Sequence, residues 1–533
     1  MNLNDDAKAL AELERAVASG NPEMIARTAM FHAWPLYTMH SERLRRAVES
    51  LPSRVLERYP VLRAVHPMTA VLARTSRPFK PLIDPDQARA MSPDELDALT
   101  MVQMIAFRLS GDVAAALIYA RRLEDRLRHV RVESRERTDG PLWYFHYQIG
   151  TTLFAAGDSA RALLEFATAR QLGRMSKQPY AERMALGRTA LAHAMRGSLE
   201  QAAAALTELE GHPPVGEAHR ASAQSTEHTA RALIAVERMS PDAEDLIATL
   251  QPYDSVEVTW PFALLARTRA LLALQRPADA LEAVRLADES HPPQHGAFAS
   301  DVILSSSIHA LAGTGDSRGA WRLIDEAPRR GRLTRLAAVR LALHECRLDF
   351  AAQELTRLAS EPALGPGTQA EAALLRAWLD VARTGELDNR NAIRIGHHAM
   401  NGNSRRALAM VPRQLIDQVR VHLAADVRDR FDAVTAGLPF FELAARPTLT
   451  PGELRVLNAL PSAPTTAAIA ATFHVSPNTV KTQLKALYRK LGCSTREDAI
   501  RIAVQHHLLT SDPGEPYAPA AGEVGGRLDA RAH

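Results

Sequence analysis

Three of the six lysines in this chain of 533 residues lie within ten residues of one another near its C-terminal end. They are Lys481, Lys485 and Lys490, and Arg489 adds a fourth positive charge. Ammonium and guanidinium groups pair with phosphate oxygens, and the threonine and asparagine side chains among them can hydrogen-bond to base edges. Elsewhere the basic residue is nearly always arginine. The cluster therefore indicates a surface that binds nucleic acid.

This cluster falls on a predicted helix that begins after Ser476 and ends at Gly492. At about 100° per residue, one narrow apolar stripe forms opposite the basic face. The stripe consists of Val480, Leu484, Leu487 and Leu491. The residues predicted to contact DNA are Asn478, Thr479, Lys481, Thr482, Lys485, Arg489 and Lys490. Because any surface helix separates charged from apolar residues, a helix used for protein contacts is the alternative interpretation.

The helices that must position this face are predicted by their caps. Thr450 is followed by Pro451 and, three residues on, by Glu453, which makes a capping box that opens a first helix. We expect that helix to run to about Leu460, because Pro461 cannot continue it.

A second short helix is capped by Thr465 or Thr466 and ends near Phe473. The tight turn FHVS joins it to the basic helix, and a short helix followed by a basic one is typical of a helix-turn-helix. A fourth helix follows, for which Ser494 and Glu497 form the predicted capping box.

The segments LTPGE, the Ile469–Ala470 pair, VSPNTVKTQLKALYRKLG and STREDAI occur in order with characteristic spacing. On these residues the stretch 449–509 resembles the LuxR type of helix-turn-helix, also called GerE, found in many bacterial transcriptional regulators. The resemblance implies that Lys481, Thr482 and Lys485 face DNA. It also implies that the last helix, over 495–507, supplies a homodimer contact when two copies bind an inverted-repeat operator in double-stranded DNA. A contact with RNA polymerase is a further expectation.

Two positions depart from the family pattern. Ala468 stands where the family usually has an acidic residue, and Gln483 stands where it usually has a histidine. These departures bear on phosphate contacts or base preference and leave the fold intact. The stretch 449–509 contains seven Lys or Arg against three Asp or Glu, whereas the whole chain has a net charge of only +3. DNA binding should therefore be confined to this end and depend on salt.

Length and composition predict more than one domain, with ample apolar residues at 46% for buried cores. The two cysteines, Cys346 and Cys493, are too few for a disulfide framework. No apolar run approaches the length of a membrane span, and the acidic start is unlike a signal peptide. These features predict a soluble cytoplasmic protein that does not bind a membrane.

The rest of the chain repeats one phrase, in which apolar residues precede a Gly-Asp-like turn and then AxxAL. A period of 34 to 46 residues with a helix on each side of the turn predicts a tetratricopeptide-like solenoid. The expected turn residues are Gly111, Gly157, Gly197, Pro241, Pro277, Gly315, Asp349 and Gly385. An irregular all-helical domain is the alternative, because the repeats are degenerate.

We therefore predict an all-α protein: a helical-repeat solenoid followed by a four-helix LuxR-type domain. The predicted boundaries are 1–436 for a sensor or interaction domain, 437–448 for a linker, 449–510 for the DNA-binding domain and 511–533 for a disordered tail.

The arrangement resembles the large LuxR-type regulators related to the maltose activator, but without their nucleotide-binding domain. No GxxxxGK[ST] motif occurs, and the sequence GTGDSRG at 313–319 is interpreted as a repeat turn. No cofactor is predicted. The five tryptophans are expected to be mainly packing anchors, of which one or two line a ligand groove.

No catalytic or metal-binding arrangement is predicted, and we expect no enzyme. His212 and His219 are interpreted as solvated loop histidines beside a proline-rich turn. The sequence predicts a sequence-specific transcriptional regulator whose repeat domain senses a small molecule, a peptide or a protein partner. The alternative is a repeat scaffold for protein interactions with an accessory DNA-binding module.

Overall fold

The structure, a computed structural model, describes residues 3–59, 61–62, 86, 89, 91–129, 142–176, 179–250, 259–291, 296–402, 405–440, 449–491, 493–505 and 508. The predicted tail and most of the predicted linker lie outside these residues. Every regular element within them is an α-helix, which confirms the all-α prediction. None of the described helices is both long and apolar enough to cross a membrane.

The chain divides into two compact units, a larger one that reaches Glu442 and a smaller one that begins at Leu443. The described helices, numbered in chain order, are α1 (Leu3–Ala18), α2 (Pro22–Phe31), α3 (Ala33–Met39), α4 (Ser41–Glu49), α5 (Ser53–Leu56), α6 (Pro93–Leu109), α7 (Val113–His129), α8 (Leu142–Ala155), α9 (Ser159–Met175), α10 (Pro179–Arg196), α11 (Leu199–Glu210), α12 (Glu217–Arg238), α13 (Ala243–Ala248), α14 (Trp260–Ala273), α15 (Pro277–Ser290), α16 (Ala297–Gly313), α17 (Ser317–Glu326), α18 (Arg332–His344), α19 (Leu348–Ala359), α20 (Pro366–Thr384), α21 (Asn389–Gly402), α22 (Arg405–Ala409), α23 (Arg413–Val421), α24 (Ala425–Thr435), α25 (Pro451–Ala459), α26 (Thr466–Thr472), α27 (Pro477–Leu491) and α28 (Arg496–Gln505).

Helices α6 to α21 form eight consecutive pairs in the described part of the larger unit. The first helix of each pair packs against its second helix and against the first helix of the next pair. Each pair alone would leave an alanine-rich face in water, so stacking buries that face between neighbours. This packing agrees with the predicted helical-repeat body.

The Gly-Asp phrase has a specific geometry, which the turn between α8 and α9 illustrates. Gly157 has a φ of +88°, in the left-handed region. Its N–H donates to the Phe154 carbonyl, and the N–H of Asp158 donates to the Leu153 carbonyl, both at 2.9 Å. The carboxylate of Asp158 then accepts from the Arg161 N–H at 3.1 Å and caps α9. Glycine therefore closes the first helix and aspartate opens the second.

The same left-handed conformation recurs at the turn of every pair. The residues that adopt it are Gly111, Gly157, Gly197, Met239, Gln275, Gly315, Cys346 and Gly385. The expected markers Pro241, Pro277 and Asp349 follow the left-handed residue of their turns by two or three positions. At those three turns a residue other than glycine closes the first helix. The turn residue itself is therefore not recognisable in the sequence, and the predicted marker lies near the start of the second helix.

Pairs that are distant along the chain also touch. Phe154 of α8 stacks on Phe262 of α14 with ring centroids 4.3 Å apart, and Phe262 stacks on Phe298 of α16 at 4.7 Å. The turn at Gly197 meets the start of α20, where a Cβ built on Gly367 would lie 2.8 Å from the Gly197 Cα. The array of pairs therefore packs back on itself, which a repeat period does not predict.

A buried network of charges also joins distant helices. Arg406 of α22 and Arg269 of α14 donate to the Glu237 carboxylate of α12 at 2.7 and 2.8 Å. Arg340 of α18 donates to Glu371 of α20 at 2.6 Å. Burial opposes ionisation of Glu371, but the nearby arginines hold its pKa to about 2. The network keeps these carboxylates charged inside the larger unit.

Two glycine substitutions separate the cost of the left-handed turn from the cost of the close approach. Gly315 has open space around its Cβ position, so we expect Gly315→Ala to cost only the backbone term of about 1 kcal/mol. At Gly197 a Cβ would also overlap the backbone of Gly367, so Gly197→Ala should cost about 2 to 4 kcal/mol. Urea unfolding of the full chain, followed by tryptophan fluorescence, measures both. If both variants lose the same free energy of unfolding, the contact between Gly197 and Gly367 does not restrict the residue at position 197.

Candidate nucleic-acid interface

The smaller unit is built on one apolar core shared by its four helices. Three of the four predicted stripe residues of α27, namely Val480, Leu487 and Leu491, are buried there, and Leu484 is partly buried. The other buried members are Val456, Leu457, Leu460, Ile469, Ala470, Ala499, Ala503 and Leu508. The apolar stripe therefore fixes which face of α27 turns outward.

Helix α25 begins as the sequence predicts. The N–H of Glu453 donates to Thr450 Oγ1 at 3.3 Å, and the N–H of Thr450 donates to the Glu453 carboxylate at 2.7 Å. This is the reciprocal capping box, and it satisfies amides that the first turn of a helix leaves without partners.

Lys490 contacts that same carboxylate. Its Nζ lies 2.7 Å from Glu453 Oε2, and the Glu453 side chain is only 7% exposed. Burial opposes ionisation of Glu453, but hydrogen bonds from Lys490 and Thr450 hold its pKa below the ordinary 4.5. The pair ties the C-terminal end of α27 to the first turn of α25. The sequence did not reveal this partner, because the two residues are 37 positions apart.

The turn between α26 and α27 ends in the same way as the turns of the larger unit. His474 has a φ of +54°. Its N–H donates to the Ala471 carbonyl at 3.3 Å, and the N–H of Val475 donates to the Ala470 carbonyl at 3.1 Å. This double hydrogen bond closes α26 and sets the direction in which α27 leaves. The start of α26 is capped by Thr465, as predicted.

The predicted cap of α28 was displaced by one residue. The structure uses Thr495 and Asp498 in place of Ser494 and Glu497: the Asp498 N–H donates to Thr495 Oγ1 at 3.1 Å, and Thr495 Oγ1 donates to Asp498 at 2.7 Å. Both pairs have capping spacing, so local chemistry could not decide between them. The helix accordingly begins at Arg496.

Long-range hydrogen bonds favour the observed register. Arg496 donates to the carbonyls of Leu460 and Ala463, just beyond the end of α25. These carbonyls lack partners within a helix, so the guanidinium of Arg496 satisfies them and connects α28 to α25.

All seven residues predicted to contact DNA lie on α27, and all are exposed. Lys481, Lys485 and Arg489 follow one another at i, i+4 spacing and so form one ridge. None of these three has an ion pair with a carboxylate of the described residues. Their charges are therefore available to an external anion.

The hydroxyls of this helix are partly used within it. Thr482 Oγ1 donates to the Asn478 carbonyl at 3.0 Å, which leaves its lone pairs and methyl group exposed. Thr479 shares a 2.9 Å hydrogen bond with Ser476, the residue that caps α27. The cap holds Thr479 at the first turn, and Thr482 presents an acceptor and an apolar group outward.

Gln483, one of the two departures from the family pattern, lies beside the first turn of α25. A Cβ built on Gly452 would lie 2.7 Å from its Nε2. The other departure, Ala468, donates its N–H to Thr465 at 3.1 Å in the cap of α26. Both residues thus fit the four-helix fold.

Residues 447–503 match the family described as bacterial regulatory proteins, luxR family. The probable transcriptional regulatory protein NarL of Mycobacterium tuberculosis is 43% identical over 63 residues, which are 12% of this chain and 29% of that protein. The transcriptional regulatory protein YdfI of Bacillus subtilis is 42% identical over 64 residues, 12% of this chain and 30% of that protein. The chain thus spans less than a third of the length of these relatives, and the likeness concerns the C-terminal unit. There it confirms the predicted LuxR-type resemblance.

The pairing of Lys490 with Glu453 predicts a local loss of stability. Lys490→Ala leaves the Glu453 carboxylate without its ammonium partner, so we expect the unit to lose about 1 to 3 kcal/mol. Hydrogen exchange of peptides from α25 and α27 in the full chain should quicken accordingly. Because the folded pKa of Glu453 lies below 4.5, this stabilisation is present above pH 4.5 and disappears as the pH falls through the folded pKa.

Lys485→Ala is the matched control, because it removes an exposed lysine from the same helix. It should leave exchange unchanged. Equal exchange in both variants would mean that the pair does not stabilise the unit.

Proposed function

Since its C-terminal unit is a LuxR-type helix-turn-helix domain, we propose that this protein is a sequence-specific DNA-binding transcriptional regulator. One observation carries the proposal: a ridge of exposed cationic side chains on the second helix of the helix-turn-helix, with no carboxylate partner among the described residues. The family match over 447–503 supports it.

In the proposed complex α27 enters the major groove, whose width of about 12 Å admits one helix. Asn478, Lys481, Thr482 and Lys485 contact base edges and nearby phosphates, and Arg489 contacts the backbone. Lys490 was predicted to contact the backbone as well, and its proposed contribution there is in addition to its pairing with Glu453.

We further propose that two copies bind an inverted-repeat operator, with α28 supplying the contact between the two DNA-binding units. In a two-fold symmetric dimer each copy of α27 contacts one half of the operator, so the dimer recognises a longer sequence than one copy does. The helical-repeat body is the proposed sensor for a small molecule, a peptide or a protein, and RNA polymerase is a proposed partner at the promoter.

The recognition face is tested by selecting fragments from a random DNA pool with the full-length protein. The wild type should enrich an inverted repeat, and the double variant Lys481→Ala, Lys485→Ala should enrich nothing, because two charges and their donors leave the base-reading face. Hydrogen exchange should show that the unit stays folded, since both side chains are exposed.

The matched control is Arg318→Ala with Arg322→Ala, which removes two exposed charges at the same i, i+4 spacing from α17. It should enrich the same sequence as the wild type. Enrichment by the lysine variant would show that another face reads DNA. Failure of the wild type to enrich any sequence, with and without added cell extract, would favour the repeat scaffold as the main function.

Salt dependence tests the size of the contact. Neutralising about 6 to 10 phosphates per dimer predicts a slope of roughly −5 to −9 in log K against log salt concentration. Fluorescence anisotropy with the selected operator measures it. Each lysine substituted singly should make the slope shallower by about 2 per dimer, since both copies lose a phosphate contact. A slope near zero would contradict a phosphate-binding face.

A further inference from the structure

Short helix α3 brings aromatic rings against the inner helices of the larger unit. Tyr144 of α8 is the centre: its ring centroid lies 5.2 Å from Trp34, 5.9 Å from Tyr37 and 5.3 Å from Trp143. The ring of His219, on α12, lies 5.7 Å from Tyr144. His219 is therefore a buried residue of this aromatic cluster, and its interpretation as a solvated loop histidine was wrong.

A buried arginine lies in the same cluster. Arg108 of α6 is 9% exposed, and it donates to the Gln148 side chain at 2.7 Å, to the Gln148 carbonyl at 3.3 Å and to Thr152 Oγ1 at 2.8 Å. All of these partners are neutral. No carboxylate of the described residues lies within ion-pair distance of Arg108, whereas the arginines of the Glu237 and Glu371 network are matched by acids.

A second guanidinium adjoins the first. Arg188 of α10 is 2% exposed and donates to the Tyr147 hydroxyl at 3.1 Å and to Ser222 Oγ at 3.3 Å. Burial and the charge of Arg188 lower the pKa of Arg108 to about 10, so Arg108 still carries its charge at neutral pH. Holding the buried charge of Arg108 among neutral hydrogen-bond partners is costly unless an anion compensates for it.

Arg108, Trp143 and His219 each have a buried polar atom without a hydrogen-bond partner among the described residues. These atoms are Nε of Arg108, Nε1 of Trp143 and Nε2 of His219. Each of these side chains is at least nine-tenths buried, so water does not satisfy these atoms from bulk solvent. Buried polar atoms without partners are uncommon in folded proteins, and here they belong to α6, α8 and α12 around one ring cluster that also holds an arginine without an acid.

We propose that this cluster, defined by Arg108, Arg188, Trp143, Tyr144 and His219, binds a small ligand that carries a carboxylate or phosphate group on a flat apolar body. The inference rests on the proposed sensing role of the body and names its site and ligand class.

The chemistry of the site selects that class. An oxyanion offers acceptors to the guanidinium of Arg108 and compensates its charge, which hydroxyls and amides do not do. Trp34 and Tyr37 are only partly buried, so the cluster reaches the surface of the described residues at α3. Tyr144 and these rings provide flat surfaces for an apolar or aromatic body.

The test uses the full-length protein with benzoate, phenyl phosphate and inorganic phosphate as probes, and with benzamide as the neutral control, all at constant ionic strength. At saturation we expect benzoate or phenyl phosphate to raise Tm by about 2 °C or more and to change tryptophan fluorescence, and benzamide to do neither. A response to phenyl phosphate alone identifies phosphate ligands, and a response to benzoate alone identifies carboxylates. No response to any anion overturns the proposal.

Variants locate the response. Arg108→Met should abolish the shift, Arg108→Lys should retain part of it because the charge remains, and Arg322→Met on the exposed face of α17 should retain all of it. His219→Phe keeps a ring, removes the unpaired nitrogen and should weaken binding several-fold, so the site stays testable if Arg108→Met does not fold. A shift that survives both Arg108→Met and His219→Phe overturns the site. If the wild-type protein selects a DNA sequence but does not respond to any anion, only this ligand site is contradicted. If it responds to anions but selects no DNA sequence, only the proposed function is contradicted.

Discussion

A single residue in the left-handed conformation ends the first helix of each pair, and the remaining architecture depends on it. Gly157 does this in the larger unit and His474 does it in the helix-turn-helix, with the same two backbone hydrogen bonds. The conformation turns the chain within two or three residues, so the second helix leaves at a defined angle and its neighbour can stack. The direction of the DNA-facing helix and the stacking of the repeats therefore have one physical cause.

The sequence predicted this device where glycine provides it and misplaced it at the other turns of the larger unit. Glycine pays no steric penalty at positive φ, so Gly157 and Gly315 stand out in the sequence. His474 lies in the FHVS turn, which the sequence did predict. Gln275 and Cys346 adopt the conformation without glycine, so the sequence marked only a residue two or three positions later. Helix type and approximate bounds follow from local patterns, whereas these turns depend on tertiary contacts that no local pattern contains.

In the candidate DNA interface, too, some features follow from local sequence patterns and others depend on the fold. The exposed face of α27 follows from helical periodicity alone, because the apolar stripe has to be buried. The pairing of Lys490 with Glu453 depends on how α25 packs on α27, and the contact of Glu237 with Arg406 joins positions 169 residues apart. The neutral surroundings of Arg108 likewise depend on how the helices pack. Sequence therefore predicts which residues can reach outward, and only the fold shows which charges are already used.

The buried arginines of the larger unit and the two exposed lysines of the DNA-facing ridge have different physical tasks. In the larger unit, Arg340 and Arg406 present planar guanidinium groups that stay charged when buried and hydrogen-bond to carboxylates directionally. Lys481 and Lys485 are exposed point charges on flexible stems, which suit phosphate contacts that release counterions. Charge that holds the body together is thus kept apart from charge offered to DNA. Because folding does not use these two lysines, selection can tune affinity for an operator through them without destabilising the protein.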